Sequence, residues 1–418
     1  MANAARAAIS NERQPHMSAF QSYYHLRKES FSIDPWADSE IYFGAAHLQE
    51  RITRRINSDF VQQRAVPKFF LFGRYGAGKT HTLAHIAHVL RTDPELARDF
   101  PTEPIYFELA PLRTREKWST VHERLINAIG LPRLKEAVSA LVSNAGPQTD
   151  PLQALQDEDV LRYGETALQN SQAQIFRNLL FGGRQETLSW EWLKGRQLKI
   201  DEAQMLGTEM NLTEPSDFVS CLLNCASLFT KGLGKKIVLL VDEGEALGMV
   251  ENPDAHEEFV YAIRRLVGNE NNVLGFILAY QTEGDRAPRV LEHDAIRRRV
   301  DYEQGFIDLT SLVLAPEDAK QFILDVINYV VNSHAAKTTI DAEGLTDTEP
   351  EFFPFTPDSV DAIADFVTQE PDRSLPSQII ALLSSAVIEG WTRRSTSPNG
   401  HILIEDEIVN LVMYPDEG

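Results

Sequence analysis

The chain has 418 residues, 43% hydrophobic and 24% charged, which suits a globular protein with more than one hydrophobic core. Sixty-one acidic against 40 basic residues give a formal net charge of −21. That balance weighs against a strong stand-alone grip on nucleic acid, whose phosphates must be met by cations. No apolar run is long enough to cross a membrane, and the N-terminal MANAARAAISNERQPH lacks a secretory pattern, so a cytoplasmic location is expected.

Residues 1–30 are polar and weakly patterned, and 1–40 reads as a flexible or partner-ordered arm. Leu48, Ile52, Ile56 and Phe60 recur at helical spacing over 44–62. The apolar run Phe69–Phe72 then reads as a strand entering Gly73-Arg74-Tyr75-Gly76-Ala77-Gly78-Lys79-Thr80, a complete GxxxxGK[ST] phosphate loop ahead of a helical stretch at 80–91. The strand delivers the chain, the glycine turn presents bare backbone N–H groups, and the helix adds its positive end. Gly76 and Gly78 leave space where a Cβ would block a phosphate. Lys79 should reach the β- and γ-phosphates of ATP, and the Thr80 hydroxyl should hold Mg²⁺, with His81 beside them.

A second strand follows at Ile105–Leu109, then an amphipathic helix at Trp118–Ile129. From Leu131 to about Leu212 no strong strand occurs, so about 131–215 reads as a helical insertion, its Trp190 and Trp192 as core. The helix at 215–231 carries both cysteines, Cys221 and Cys225, which read as core packing in a reducing compartment. Ile237–Val241 runs into Asp242-Glu243, Val273–Tyr280 into Gln281-Thr282, and Phe306–Leu309 is shorter. Apolar strands alternating with helices predict a parallel sheet covered on both faces. Beyond about residue 314 the pattern is helical and more acidic. Helices open at Pro316, after a Thr356-Pro357 cap, and after a Ser374 cap preceded by Arg373. Between them 335–354 reads as an acidic, threonine-rich loop, and 401–408 as a short strand and helix.

An acid pair at a strand end is what phosphoryl transfer needs opposite a phosphate loop: Asp242 for Mg²⁺, Glu243 to polarise the attacking water. Glu245 reads as a helix-start acid. Gln281 or Thr282 could orient that water, or simply end the strand. Arg297-Arg298-Arg299 point about 100° apart on a helix, so they cannot all serve one site; one could reach into a neighbour's nucleotide. Arg373 could clamp a γ-phosphate or form a local ion pair. His81, His85 and His88 lack the glutamate of a helical zinc motif. Basic clusters at Arg51/Arg54/Arg55, Arg113/Arg115/Lys117 and Arg297–Arg299 leave nucleic acid open as a partner that the charge does not indicate.

In this order the motifs resemble those of the AAA+ ATPases, above all the origin-recognition and transposition-regulator branch, over about residues 40–413. More narrowly, Gly76–Leu83, Trp192–Gly195 and Val241–Glu245 look like ATP-binding proteins of BREX-type bacterial phage-defence loci. The resemblance implies an α/β P-loop NTPase three-layer sandwich with a parallel five-stranded sheet in the order 5-1-4-3-2. A core at 41–313, holding the insertion, would be followed by a helical lid at 314–418. It implies sensor duty for Thr282 or Gln281, finger duty for one of Arg297, Arg298 and Arg299, and second-sensor duty for Arg373. ATP would lie between subunits of a ring or filament, its hydrolysis driving self-assembly and control of a protein partner in defence against phage or mobile DNA. A nucleotide-gated signalling switch or scaffold, and a DNA-associated transposition or replication regulator, are the alternatives. Two departures stand out: the long segment between Lys79 and Asp242, and a chain that ends soon after the lid without a winged-helix reader.

Overall fold

Five apolar runs become strands: β1 Lys68–Gly73, β2 Thr102–Glu108, β3 Lys236–Asp242, β4 Leu274–Gln281 and β5 Phe306–Asp308. In this computed structural model, which describes residues 20–28, 31–42, 46–62, 65–157, 159–282, 286–300, 304–309, 316–370, 372–393 and 403–414, they form one sheet in the order β2-β3-β4-β1-β5. Every pairing is parallel, and read from the β5 edge the order is the expected 5-1-4-3-2 of a P-loop NTPase. Parallel pairing puts all the strand C-termini along one edge. Register aligns Gly73 with Gln281 and Glu108 with Asp242 there. Continuous apolar sequence is the mark of strands covered on both faces; Phe69, Phe70, Leu71 and Ile237–Leu240 are fully buried.

The described residues fall into two compact units, one comprising 50–74 and 79–308, the other the remainder. In the sheet unit, helix α1 (Ala46–Asn57) precedes β1, and α2 (Lys79–Thr92) and α3 (Pro94–Asp99) link β1 to β2. Helix α4 (Trp118–Ile129) follows β2 and buries Trp118, Val121, His122, Leu125, Ile126 and Ile129. The insertion is helical as expected: α5 (Leu131–Ala145), α6 (Pro151–Leu155), α7 (Thr166–Asn178), α8 (Gly183–Leu193) and α9 (Ile200–Leu206). Trp192 is fully buried there, its indole N–H donating to Met210 O at 2.9 Å.

Helix α10 (Pro215–Leu233) returns the chain to β3. It lies so close along α5 that a Cβ on Gly232 would overlap the Ala137 carbonyl. Asn224 on this helix is buried and bonds both backbone groups of Tyr163, accepting from its N–H at 3.1 Å and donating to its carbonyl at 2.9 Å. Cys221 and Cys225 are buried and free. Helix α11 (Pro253–Leu266), then α12 (Arg289–Glu292) and α13 (Asp294–Val300), complete the sheet unit.

The other unit packs α14 (Pro316–Val330), α15 (Ser333–Glu343), α16 (Pro357–Thr368), α17 (Pro376–Arg393) and α18 (Asp406–Met413) around one apolar core. Two readings are corrected here. The stretch from 335 is not wholly loop: α15 forms because the Asn332 side chain accepts from Ala335 N, Ala336 and Ile340 are buried, and Gly344 ends it left-handed. The described part of the 1–40 arm, residues 20–28 and 31–40, is not loose either, for Phe20, Tyr24 and Phe31 belong to this core, with Trp391 against Phe20 and Tyr24. The preceding part of the arm lies outside the described residues. Thr356 caps α16 as expected, while α17 starts at Pro376, two residues beyond Ser374. Among the described residues no helix is long and apolar enough to cross a membrane.

Candidate nucleotide site

The turn after β1 takes the shape its glycines allow. Gly76 and Gly78 have φ of +83° and +81°, a region that L side chains rarely adopt. Tyr75 at the turn is 80% exposed, and Ala77 is buried. Lys79 opens α2, and its Nζ donates to Gly73 O at 3.1 Å and Arg74 O at 2.9 Å, so the lysine folds back over the loop's own carbonyls. Burial lowers its pKa, and the nearby carboxylates Glu245 and Asp242 act against that.

The loop and the β3 end meet directly. Thr80 Oγ1 donates to Asp242 Oδ2 at 2.6 Å. Asp242 is 4% exposed, and its other oxygen accepts from Glu243 N at 2.9 Å. A buried carboxylate beside a hydroxyl is a hard-oxygen donor set, the chemistry of magnesium rather than of softer metals. Thr80 and Asp242 therefore fit the cation that accompanies a nucleoside triphosphate. Among the described residues no group of three or more His, Cys, Asp or Glu side chains is placed to hold a metal ion.

Glu243 has φ 55° and ψ 39°, the left-handed region, and is one of two non-glycine residues with positive φ among those described. Such a conformation costs about 1–3 kcal/mol in a non-glycine residue and persists only where its surroundings impose it. The side chain is exposed at the strand edge. Its pKa is raised, by burial first and then by Glu108, Asp242 and Glu245, with Arg124 opposing. A carboxylate so placed is suited to take a proton from water. Glu245 does start a short 3₁₀ turn (Gly244–Met249), and it does more: its Oε2 accepts from Gln281 N at 2.9 Å, tying the ends of β3 and β4 together.

The remaining expected residues divide. Gln281 ends β4 at the site edge, with Thr282 next. On α13 the three arginines do diverge: Arg297 lies over the Phe306 ring at 5.8 Å, Arg299 donates to Ala295 O at 2.7 Å, and Arg298 is exposed. Arg373 precedes α17 in a turn, paired with Glu370 at 3.1 Å and stacked 4.2 Å over Phe366. His85 and His88 rings stack at 6.4 Å, and His81 sits in the first turn of α2.

Three residues escaped sequence reading. Tyr106 OH lies 3.2 Å from Asp242 Oδ2 and 3.0 Å from Glu108 Oε1. Burial, Asp242 and Glu108 hold that phenol above its ordinary pKa. Arg124 on α4 donates to the carbonyls of Glu108 at 2.6 Å, Leu109 at 3.0 Å and Ala110 at 2.7 Å, fixing the exit from β2. The signal was the i, i+2 spacing of Tyr106 and Glu108 on one face of a strand destined to lie beside β3.

No protein-family model matches the sequence, and no curated protein matches it. Among solved structures, the Aeropyrum pernix Orc1 protein in complex with DNA aligns over 91% of this chain and 69% of its own, at 10% identity and a TM-score of 0.41. A Walker-type ATPase of Pyrococcus abyssi aligns over 88% of this chain and 80% of its own, at 13% identity and a TM-score of 0.33.

Proposed function

We propose that the chain binds ATP with Mg²⁺ and hydrolyses it. The observation that carries this is the 2.6 Å hydrogen bond from Thr80 Oγ1 to Asp242 Oδ2, which joins a complete phosphate loop to a strand-end acid pair. In this reading the loop N–H groups and Lys79 bind the phosphates, Lys79 exchanging its carbonyl partners for phosphate oxygens. Thr80 and Asp242 hold the cation, which would neutralise charge on the β- and γ-phosphates. Glu243 takes the proton of the attacking water, and Gln281 or Thr282 orients that water. The test is Glu243→Gln in an ATP-binding and phosphate-release assay. Binding should persist while turnover falls about 10²–10⁴-fold, and rapid turnover in this variant would reject the assignment.

The nucleotide cycle is further proposed to control self-assembly into a ring or filament and action on a protein partner. The motif resemblance to phage-defence ATP-binding proteins supports defence against phage or mobile DNA as the setting. If a neighbouring subunit completes the site, specific activity should rise with protein concentration. A specific activity flat across a wide dilution series would count against that reading.

A further inference from the structure

Strand β2 forms one edge of the sheet, beside β3. Register places Glu108 next to Asp242, and the two-residue spacing puts Tyr106 on the same face of the strand as Glu108. The phenol thus lies between two carboxylates, 3.0 Å from Glu108 Oε1 and 3.2 Å from Asp242 Oδ2. Ionised carboxylates only accept, and a phenol has one proton, so the O–H is shared between them. Among the described residues Asp242 Oδ2 has one other side-chain hydrogen-bond donor, Thr80, at 2.6 Å. The two donors differ in duty. Thr80 stands at the phosphate loop, where its oxygen is also wanted by the cation; Tyr106 comes from the opposite strand and has no such role. Its backbone is steadied by Arg124, whose guanidinium lies 5.2 Å from the Phe107 ring and holds the carbonyls that follow.

We propose that Tyr106 is a positioning residue for the metal-binding aspartate, its O–H fixing the orientation of the Asp242 carboxylate. This rests on the magnesium–nucleotide reading of the site. Hydrogen-bond partners behind metal-binding carboxylates are typically worth about 10–100-fold in metal affinity or activity. The test is Tyr106→Phe in the full chain, which removes one hydroxyl from a half-buried ring and leaves the apolar packing of β2. ATP affinity is measured in EDTA, and Mn²⁺ affinity of the ATP-loaded protein by electron paramagnetic resonance, beside wild type and Asp242→Asn. The expected result is metal-free ATP affinity within about twofold of wild type and Mn²⁺ binding weakened about 10-fold, toward the lower end of that range because Thr80 remains. The Mg²⁺ concentration for half-maximal hydrolysis should rise in parallel. Mn²⁺ binding at wild-type strength in Tyr106→Phe, with Asp242→Asn impaired, overturns the proposal alone. Unimpaired Mn²⁺ binding in Asp242→Asn overturns the site reading and this proposal with it.

Discussion

His122 makes the fold sensitive to acid at a single buried atom. It is fully buried on α4, with Nε2 2.8 Å from the Leu193 carbonyl at the end of α8 and its ring 5.1 Å from that of Phe218. A carbonyl can only accept, so Nε2 carries the hydrogen and the neutral ring leaves Nδ1 bare; Nδ1 meets no partner among the described residues. Protonating it would place an unpaired charge in an apolar site. Burial accordingly holds the pKa down to about 4 from 6.5, with the Leu193 carbonyl pulling weakly the other way. The folded pKa is depressed, so below pH 6.5 the unfolded chain takes up a proton that the folded chain refuses. Stability from this group is complete above about 6.5 and is lost progressively as the pH falls toward 4. At about 1.4 kcal/mol per pKa unit the loss is about 3 kcal/mol, a large part of the 5–15 kcal/mol or so that holds a typical domain. Urea midpoints followed by tryptophan fluorescence, on dilute protein in buffers from about pH 7.5 to 4.5, would measure it against His122→Gln, which keeps an N–H for Leu193. Parallel pH slopes in the two proteins would refute the reasoning.

Lys68 predicts the opposite limb. Its ammonium is buried against the carbonyls of Gly268 and Asn271, and burial lowers its pKa to about 8 against the pull of Asp59. Stability should therefore climb as pH rises from about 8 to 10.5, and Lys68→Met should flatten that climb in the same midpoint assay. Gly232→Ala should cost about 1–3 kcal/mol by forcing α10 off the Ala137 carbonyl; an unchanged urea midpoint would show that the helices part freely. Arg298 and Arg299 of α13 are both exposed, but Arg299 donates to Ala295 O whereas Arg298 has no hydrogen bond or ion pair among the described residues. Arg298→Ala should lower turnover at high protein concentration, by up to about 10³-fold where an arginine completes a neighbour's site, while Arg299→Ala should do less; equal losses would reject the distinction.

The sheet was legible because its strands are apolar runs with no helical period, and β3 and β4 end at the polar residues Asp242 and Gln281. Glycines fixed the phosphate loop in the same way, since Gly76 and Gly78 take a backbone conformation that other residues avoid. Tyr106 and Arg124 were not legible. Their roles depend on β2 lying beside β3, a pairing across more than a hundred residues that no local pattern specifies. Glu245 was read from its place at a helix start, whereas its partner is the backbone of another strand. The helix at Ser333–Glu343 was hidden by threonine and acid content. What secures it is an Asn332 cap and two buried side chains, features of tertiary packing more than of propensity.

The term insertion describes the sequence better than the fold. Helix α10 is buried nearly all round, from Phe218 to Phe229. A helix is apolar on every face only when something covers every face. Here α10 packs against β3 and β4, and also against α4, α5 and α11. The insertion thus covers one side of a helix that itself covers the sheet, through the contact of α5 with α10, and α10 then runs through Gly234 straight into the strand that ends at Asp242. Helix α4 is shared in the same sense. His122 and Arg124 stand two residues apart, about 200° around the helix axis; one holds the end of α8, the other the exit of β2 beside the acid pair. Excising 131–215 would therefore uncover the α5 side of α10 and release one side of α4, so the elements that aim Asp242 and Glu108 would lose part of their support together.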